Sequence, residues 1–340
     1  MGITRRMRRP TENNGPSINY TMQSSTPNQS RHGTLRILRR IQETPNQSSL
    51  VVDIPKITSS YGSKVEKSSI EWKKCSFNGG IIVKKDGKYQ SVVDDLNNSE
   101  LINVFRYSDD PMSYSRIGVK SITVDGKLKE FITTIIENNE DPRVFTFKDD
   151  LYFSATELTN IKGSKVPKIK LHKLDLNYKP IQTSFINVGN NNLNNTGWEK
   201  NWIFFQHDDE LCFVYSLHPF IVFNLNKELK TWQEWNKPNF GHLRGGSNPV
   251  FINDYYYMFA HIKTDDNKYR MVILQFNNQL QLIKRSNVLN TLNNFNIVFP
   301  MGLIYVRNEQ KFHVSVGIED REQYIVSFSK AEVENQLFLI

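Results

Sequence analysis

From residue 72 onward the chain is written in short runs of β-branched and aromatic residues, cut about every eight to twelve residues by turn signals. Gly80 to Val83 stops at Lys85-Asp86-Gly87, Val144 to Phe147 at Asp149-Asp150, and Met271 to Phe276 at Asn277-Asn278. Leu211 to Ser216 follows Asp208-Asp209, Tyr255 to His261 follows Asn253-Asp254, and Phe312 to Gly317 follows Asn308-Glu309. Asp, Asn and Gly tolerate the left-handed backbone of tight turns, so each pair marks a reversal between antiparallel strands. Long amphipathic helical stretches are missing, which leaves a sandwich, a barrel or a propeller. Roughly 265 residues of short strands favour the propeller, because radial repetition absorbs many strands without leaving exposed edges. The prediction is an all-β fold, a five-bladed β-propeller over residues 71–340, with blades beginning near 72, 119, 165, 200 and 247.

Residues 1–70 have another character. They are rich in Arg, Asn, Ser, Thr, Gln and Pro, with too few apolar side chains to offset the entropy of ordering, and they are predicted to form a disordered basic N-terminal arm. Thr-Pro-Asn-Gln-Ser occurs at 26–30 and again at 44–48, flanking the run Leu35 to Ile41, which reads as a weak amphipathic helix, a targeting signal or a solvated arm. The formal charge of +8 is concentrated here: residues 1–40 hold eight Arg against the single Glu12. The folded part is close to neutral, so no nucleic-acid partner is expected for it, while the arm suits anionic surfaces in a salt-dependent way. The longest apolar runs, such as Phe220 to Phe223, are too short to cross a bilayer. Cys75 and Cys212 are too few for a disulfide scaffold or a cysteine-based zinc site, and neither a metal nor a cofactor is expected. No secretory signal is visible, and Arg6 stands where a myristoylation motif after Gly2 asks for Ser or Thr, so a cytoplasmic location is expected.

In a propeller the inner strands and their loops converge on a central channel, so polar residues at strand beginnings in successive blades are the candidates for chemistry. They are Asn78, Arg106, Asp141 with Arg143, Lys200 with Asn201, His218, Arg244, His261 and Asp320. Singly, each has a plain structural reading. Asp-Pro-Arg can start a strand with its Asp capping a turn, Lys200-Asn201 can be a solvated loop, and His218 before Pro219 can be a structural histidine. Together, a carboxylic acid, basic residues and histidines around a channel suit proton transfer at a sugar oxygen beside an anion, either free phosphate or the phosphate of an activated donor. Gly245 and Gly246 are expected to let a ligand approach the backbone closely. Trp72, Trp198, Trp202, Trp232 and Trp235 offer stacking faces for sugar rings, although the core is the commoner place for such residues.

Six pieces in order carry a resemblance: Phe77-Asn78-Gly79-Gly80-Ile81, Glu140-Asp141-Pro142-Arg143, Glu199-Lys200-Asn201-Trp202, Leu217-His218-Pro219, Arg244 to Pro249, and Gly317-Ile318-Glu319-Asp320. The stretch from Phe77 to near Ser327 resembles the mannoside phosphorylases of glycoside hydrolase family 130 and the related propeller-fold β-mannosyltransferases. The resemblance implies an inverting mechanism in which Asp141 protonates the glycosidic oxygen while phosphate attacks the anomeric carbon. In the synthetic direction the same Asp accepts a proton from the acceptor hydroxyl. By position, Arg143, Lys200, Arg244 and His261 are implied to hold the phosphate or donor, and Asn78, Arg106, Asn201, His218 and Asp320 to contact sugar. The implied partners are an oligosaccharide or glycan acceptor together with inorganic phosphate, a sugar phosphate or a nucleotide sugar. The chain departs from the family pattern at Gly79-Gly80, where relatives commonly show Pro-Ser, and at Ile203, where a Pro is common.

Two other functions fit the same residues. An inverting hydrolase needs a second carboxylate roughly 6.5 to 9.5 Å from the acid, and Glu199 and Asp320 are the nearest candidates. A non-catalytic glycan- or protein-binding propeller needs the fold alone, without a carboxylic acid grouped among Arg, Lys and His.

Overall fold

The turn residues form the hairpins that their chemistry allows. Asp86-Gly87, Lys148-Asp149 and Asn253-Asp254 are two-residue connections in which both residues adopt positive φ, the backbone that matches the twist of the flanking strands. The computed structural model describes residues 78–107, 115–123, 128–161, 164–186, 188, 200–236 and 242–340. The basic arm, its repeated pentapeptide, Trp72, Cys75, Phe77, Trp198 and Glu199 lie outside the described residues.

Five sheets form the blades, and their strands pair antiparallel except where one short strand joins the fifth blade in parallel. The first holds β1 (Asn78–Lys85) and β2 (Lys88–Gln90); the chain then gives β3 (Val92–Val93) to the last blade and returns for β4 (Glu100–Tyr107), β5 (Arg116–Thr123) and β6 (Leu128–Glu137). The second holds β7 (Asn139–Phe147), β8 (Asp150–Ile161), β9 (Ser164–Leu174) and β10 (Pro180–Ile186). The third holds β11 (Ile203–His207), β12 (Glu210–Leu217), β13 (Phe220–Asn224) and β14 (Leu229–Gln233). The fourth holds β15 (His242–Arg244), β16 (Val250–Ile252), β17 (Tyr255–Lys263), β18 (Tyr269–Asn277) and β19 (Leu282–Ser286). The fifth holds β20 (Val298–Val306), β21 (Lys311–Ile318) and β22 (Glu322–Ser329). Ser329 then caps the short helix α1 (Lys330–Gln336) in a capping box with Glu332, and β23 (Leu337–Leu339) pairs back onto β19. Among the described residues no helix is long and apolar enough to cross a membrane.

The six strands predicted around the turn signals all lie within observed strands, and the five-bladed propeller is the fold. The blade boundaries differ from the prediction. Blades begin near 78, 139, 203, 242 and 298, so the expected starts at 119 and 165 fall inside β5 and β9, and the sequence pattern flags no start at 139 or 298. The reason is length: β8 and β9 run for 12 and 11 residues, and the first blade spends an extra strand on β2, so evenly spaced groups do not follow the blades.

One apolar cluster fills each junction between neighbouring blades. Ile82, Val104 and Val119 of the first blade pack with Val144 and Phe153 of the second, and Phe145 and Leu171 of the second with Phe204 and Phe213 of the third. Phe220 and Val222 pack with Met258 and Leu274, and Tyr257 and Phe259 with Val314 and Phe328. Ile81 and Val83 close the ring against Ile304 and Val306. At the centre β1, β7 and β20 approach so closely that no side chain fits between them. A Cβ on Gly302 would lie 2.4 Å from the Ile81 nitrogen, and one on Gly80 2.6 Å from the Val144 nitrogen. Gly302→Ala is therefore expected to cost about 1–3 kcal/mol of stability, measured by urea unfolding.

Lys120 on β5 is buried, with its Nζ 4.9 Å from the centroid of the Phe105 ring, and burial pushes its pKa down to about 7. In the unfolded chain a lysine titrates at about 10.4, so between about pH 7 and pH 10 the unfolded state binds more protons and stability rises with pH. Lys120→Met is expected to flatten this rise, measured as unfolding free energy across that window.

Candidate active site

The second blade opens with Asn139-Glu140-Asp141-Pro142-Arg143 on β7. Pro142 has no N–H for the ladder, and the pairing with β8 slips there: Glu140 stands opposite Thr156 and Arg143 opposite Ser154, so one extra residue bulges out of β7. Asp141 takes a positive φ of 52° in this bulge, a conformation that Asp adopts more readily than most residues. The bulge aims Asp141 and Arg143 at groups brought from other blades.

Asn78 and Arg106 are directly paired on β1 and β4, so the first blade presents both together. The Asn78 side-chain amide donates to Asp141 Oδ1 at 3.2 Å, and Arg106 Nη1 lies 3.8 Å from the same oxygen. Burial works to raise the Asp141 carboxyl, but the charges of Arg106, Arg143 and Lys200, with the Asn78 hydrogen bond, outweigh it and hold the group below the ordinary carboxylate range. Glu140 bridges two of the same cations, 3.7 Å from Arg106 Nη2 and 3.5 Å from Lys200 Nζ.

Arg143 is only 2% exposed and spends three donors on protein. Nε donates to the Gly246 carbonyl at 2.9 Å, Nη1 to the Asp141 carbonyl at 3.1 Å and Nη2 to Asn201 Oδ1 at 2.9 Å, while the guanidinium lies 5.8 Å from the Phe299 ring centroid. Among the described residues, two of its five N–H groups remain. The neighbouring glycines serve this packing. A Cβ on Gly245 would sit 2.1 Å from the Asn201 carbonyl oxygen and one on Gly246 2.1 Å from that of Phe259, so protein backbone fills the space expected to admit a ligand.

His261 is 1% exposed, and its Nδ1 lies 2.6 Å from the Gly245 carbonyl oxygen. A carbonyl only accepts, so Nδ1 carries the proton. Burial, helped by the charges of Arg143 and Arg244, pushes the pKa down to about 3; the ring is neutral and Nε2 is an acceptor. Phe299 packs against it at 4.0 Å between centroids, and Arg244 on β15 is the direct strand partner of His261 and is exposed. Asp320 occupies the turn between β21 and β22 with Glu319, both at positive φ. Burial raises its carboxyl against the pull of Arg106, and the charges of Asp141, Glu140 and Glu319 act in the same direction as burial.

The ends of the inner strands thus bring together Asn78, Arg106, Asp141, Arg143, Lys200 and Asn201, with His261, Arg244 and Asp320 beside them. His218 is engaged elsewhere: its Nε2 donates to the Trp235 carbonyl at 3.2 Å, its ring packs edge-on against Trp235, and among the described residues no hydrogen bond joins it to the Asp141 group. Trp202 is buried against Phe213, Trp235 donates to the Leu217 carbonyl, and Trp232 is exposed on the outer strand β14. Sequence reasoning gives Glu140 and Phe299 no role. Their partners are distant along the chain, and only the adjacency of Glu140 to Asp141 could draw attention to it.

The sequence matches no protein-family profile and no curated protein. Solved structures do share its architecture. A β-1,2-mannobiose phosphorylase from Listeria innocua, in complex with β-1,2-mannobiose, superposes with a TM-score of 0.54 at 13% identity, covering 77% of this chain and 92% of that one. A mannose phosphorylase from Leishmania mexicana, in complex with a phosphate ion, gives 0.51 at 10% identity over 79% and 88% of the two chains. A structure described as showing that the GH130 family of mannoside phosphorylases contains hydrolases targeting β-1,2-mannosidic linkages in Candida mannan gives 0.53 at 12% identity over 76% and 85%. The chain shares the five-bladed propeller fold of the glycoside hydrolase family 130 mannoside phosphorylases.

Proposed function

We propose that this protein is a carbohydrate-active enzyme that transfers a β-mannosyl unit, with inversion, between a phosphate-activated sugar and a glycan acceptor. The observation that carries this reading is a partly buried carboxylate, Asp141, set among cations from several blades. Held below its ordinary range, Asp141 is ionised and ready to accept the proton of an acceptor hydroxyl as that oxygen attacks the anomeric carbon. Arg106, Lys200 and Arg244 supply the cations that would stabilise a departing phosphate in this reading, and the neutral His261 offers Nε2 as an acceptor to a phosphate or sugar hydroxyl. In the reverse direction a bound phosphate adds a negative charge beside Asp141 and offsets the cations. Its pKa then rises, and the acid form can protonate the glycosidic oxygen. β-1,2-Mannobiose and phosphate are the ligands named for the similar folds, and a mannosyl substrate and phosphate are carried to this chain as part of the proposal.

Inverting hydrolysis is the second reading, favoured by Asp320: two neighbouring carboxylates pushed in opposite directions are the pattern of an acid and a base. Incubation with β-manno-oligosaccharides, with and without phosphate, separates the two. Phosphate-dependent formation of mannose 1-phosphate, or transfer from mannose 1-phosphate or a nucleotide-mannose to an acceptor, is the expected outcome; phosphate-independent release of mannose, lost in Asp320→Asn, would establish hydrolysis instead. Asp141→Asn is expected to lower turnover by about 10²–10⁴, and undiminished turnover would remove Asp141 from the mechanism. Lys200→Met takes away one of the charges that depress Asp141, so the acid limb of the kcat/KM profile for synthesis is expected to move to higher pH.

A further inference from the structure

The connection from β19 to β20, residues 287–297, reads Asn-Val-Leu-Asn-Thr-Leu-Asn-Asn-Phe-Asn-Ile and holds its backbone firmly while leaving its amides outside. Leu289 is buried, and its N–H donates to the Met271 carbonyl at 2.9 Å. Two overlapping turns follow, from Asn293 N–H to the Asn290 carbonyl at 3.2 Å and from Phe295 N–H to the Leu292 carbonyl at 3.1 Å. Arg270, 7% exposed, reaches the carbonyls of Asn293 and Asn296, each at 3.3 Å, and the Tyr269 N–H also donates to the Asn296 carbonyl, at 2.8 Å. The Glu319 carboxylate accepts from the N–H groups of Asn296 and Ile297.

These anchors fix where the loop stands. Glu319 precedes Asp320, whose carboxyl feels the charges of Arg106 and Asp141, and Phe299, two residues beyond the loop, touches His261, so the end of the loop at Asn296 and Ile297 forms a rim beside the Asp141 group. Asn290, Asn293, Asn294 and Asn296 are exposed, and among the described residues their side-chain amides make no hydrogen bond. An uncharged amide offers two donors and an acceptor, which suits hydroxyls, whereas an anion calls for cations. A rim already held by its backbone loses little entropy on binding.

We propose that this loop binds a neutral oligosaccharide, taking up sugar units beyond the one that reacts. The inference rests on the glycosyl-transfer reading for the identity of the sugar. Its test is equilibrium binding of mannose, β-mannobiose and β-mannotriose to full-length Asp141→Asn protein by calorimetry, with and without Asn293→Ala and Asn294→Ala. The expected result is tighter binding of the trisaccharide than of mannose, with that ratio falling roughly tenfold in the loop variant. Asn293→Gln with Asn294→Gln, which keep the amides, should retain part of the ratio; a structural disturbance of the loop would not be rescued in this way. A ratio that is unchanged in the alanine variant, or an Asp141→Asn protein that binds all three sugars equally, would overturn the proposal. Length-dependent binding in a protein whose wild type turns over no donor would uphold the loop site and refute the catalytic reading.

Discussion

A buried guanidinium holds the centre of this molecule. A charge removed from water is costly unless its hydrogen bonds are replaced, and Arg143 replaces them with groups from different blades: its own strand at Asp141, the segment entering the third blade at Asn201, the fourth at Gly246 and the ring of Phe299 in the fifth. Each partner imposes a local requirement. The bulge at Pro142 turns the strand so that the Asp141 carbonyl faces Arg143, Asn201 takes a positive φ, and Gly246 lets its backbone lie against Phe259. Features that look unrelated along the sequence are conditions for satisfying one cation.

The same cation shapes the chemistry around it. Arg143 helps to hold Asp141 ionised and adds to the burial that keeps His261 neutral, so a single charge lowers the proton affinity of an acid and of a base together, in each case favouring the unprotonated form. Asp320 stands on the other side of the balance, where burial outweighs Arg106. Proton transfer in such a site is governed by the field of the whole cluster, and any anion that enters resets every member.

Much of the fold is legible because it is encoded locally. Asp86-Gly87 and Asn253-Asp254 announce their hairpins through residues that accept positive φ, and alternating apolar runs announce the strands between them. Blade boundaries are not, since nothing in the residues of β8 and β9 declares that these strands run long. At the site, Asp141, Arg143 and Lys200 can be picked out as polar residues beside apolar strands. The pairing of Glu140 with Arg106 and Lys200, and the packing of Phe299 on His261, join residues far apart in the chain and leave no local trace. Gly245 and Gly246 show the reverse difficulty: a small residue signals close approach without saying whether a ligand or the protein itself approaches.

The ring is fastened at two places that do not coincide. Val92 and Val93, just after the first blade's opening hairpin, lie parallel to Tyr305 and Val306 of the fifth blade, while Leu337 to Leu339 return past the fifth blade to pair with β19 of the fourth. A linear array of repeats can fray from its ends inward, one unit at a time. Here the terminal blade is gripped from both directions, so loosening it means releasing two separate strands at once, and the closed circle is expected to come apart as one cooperative unit rather than blade by blade.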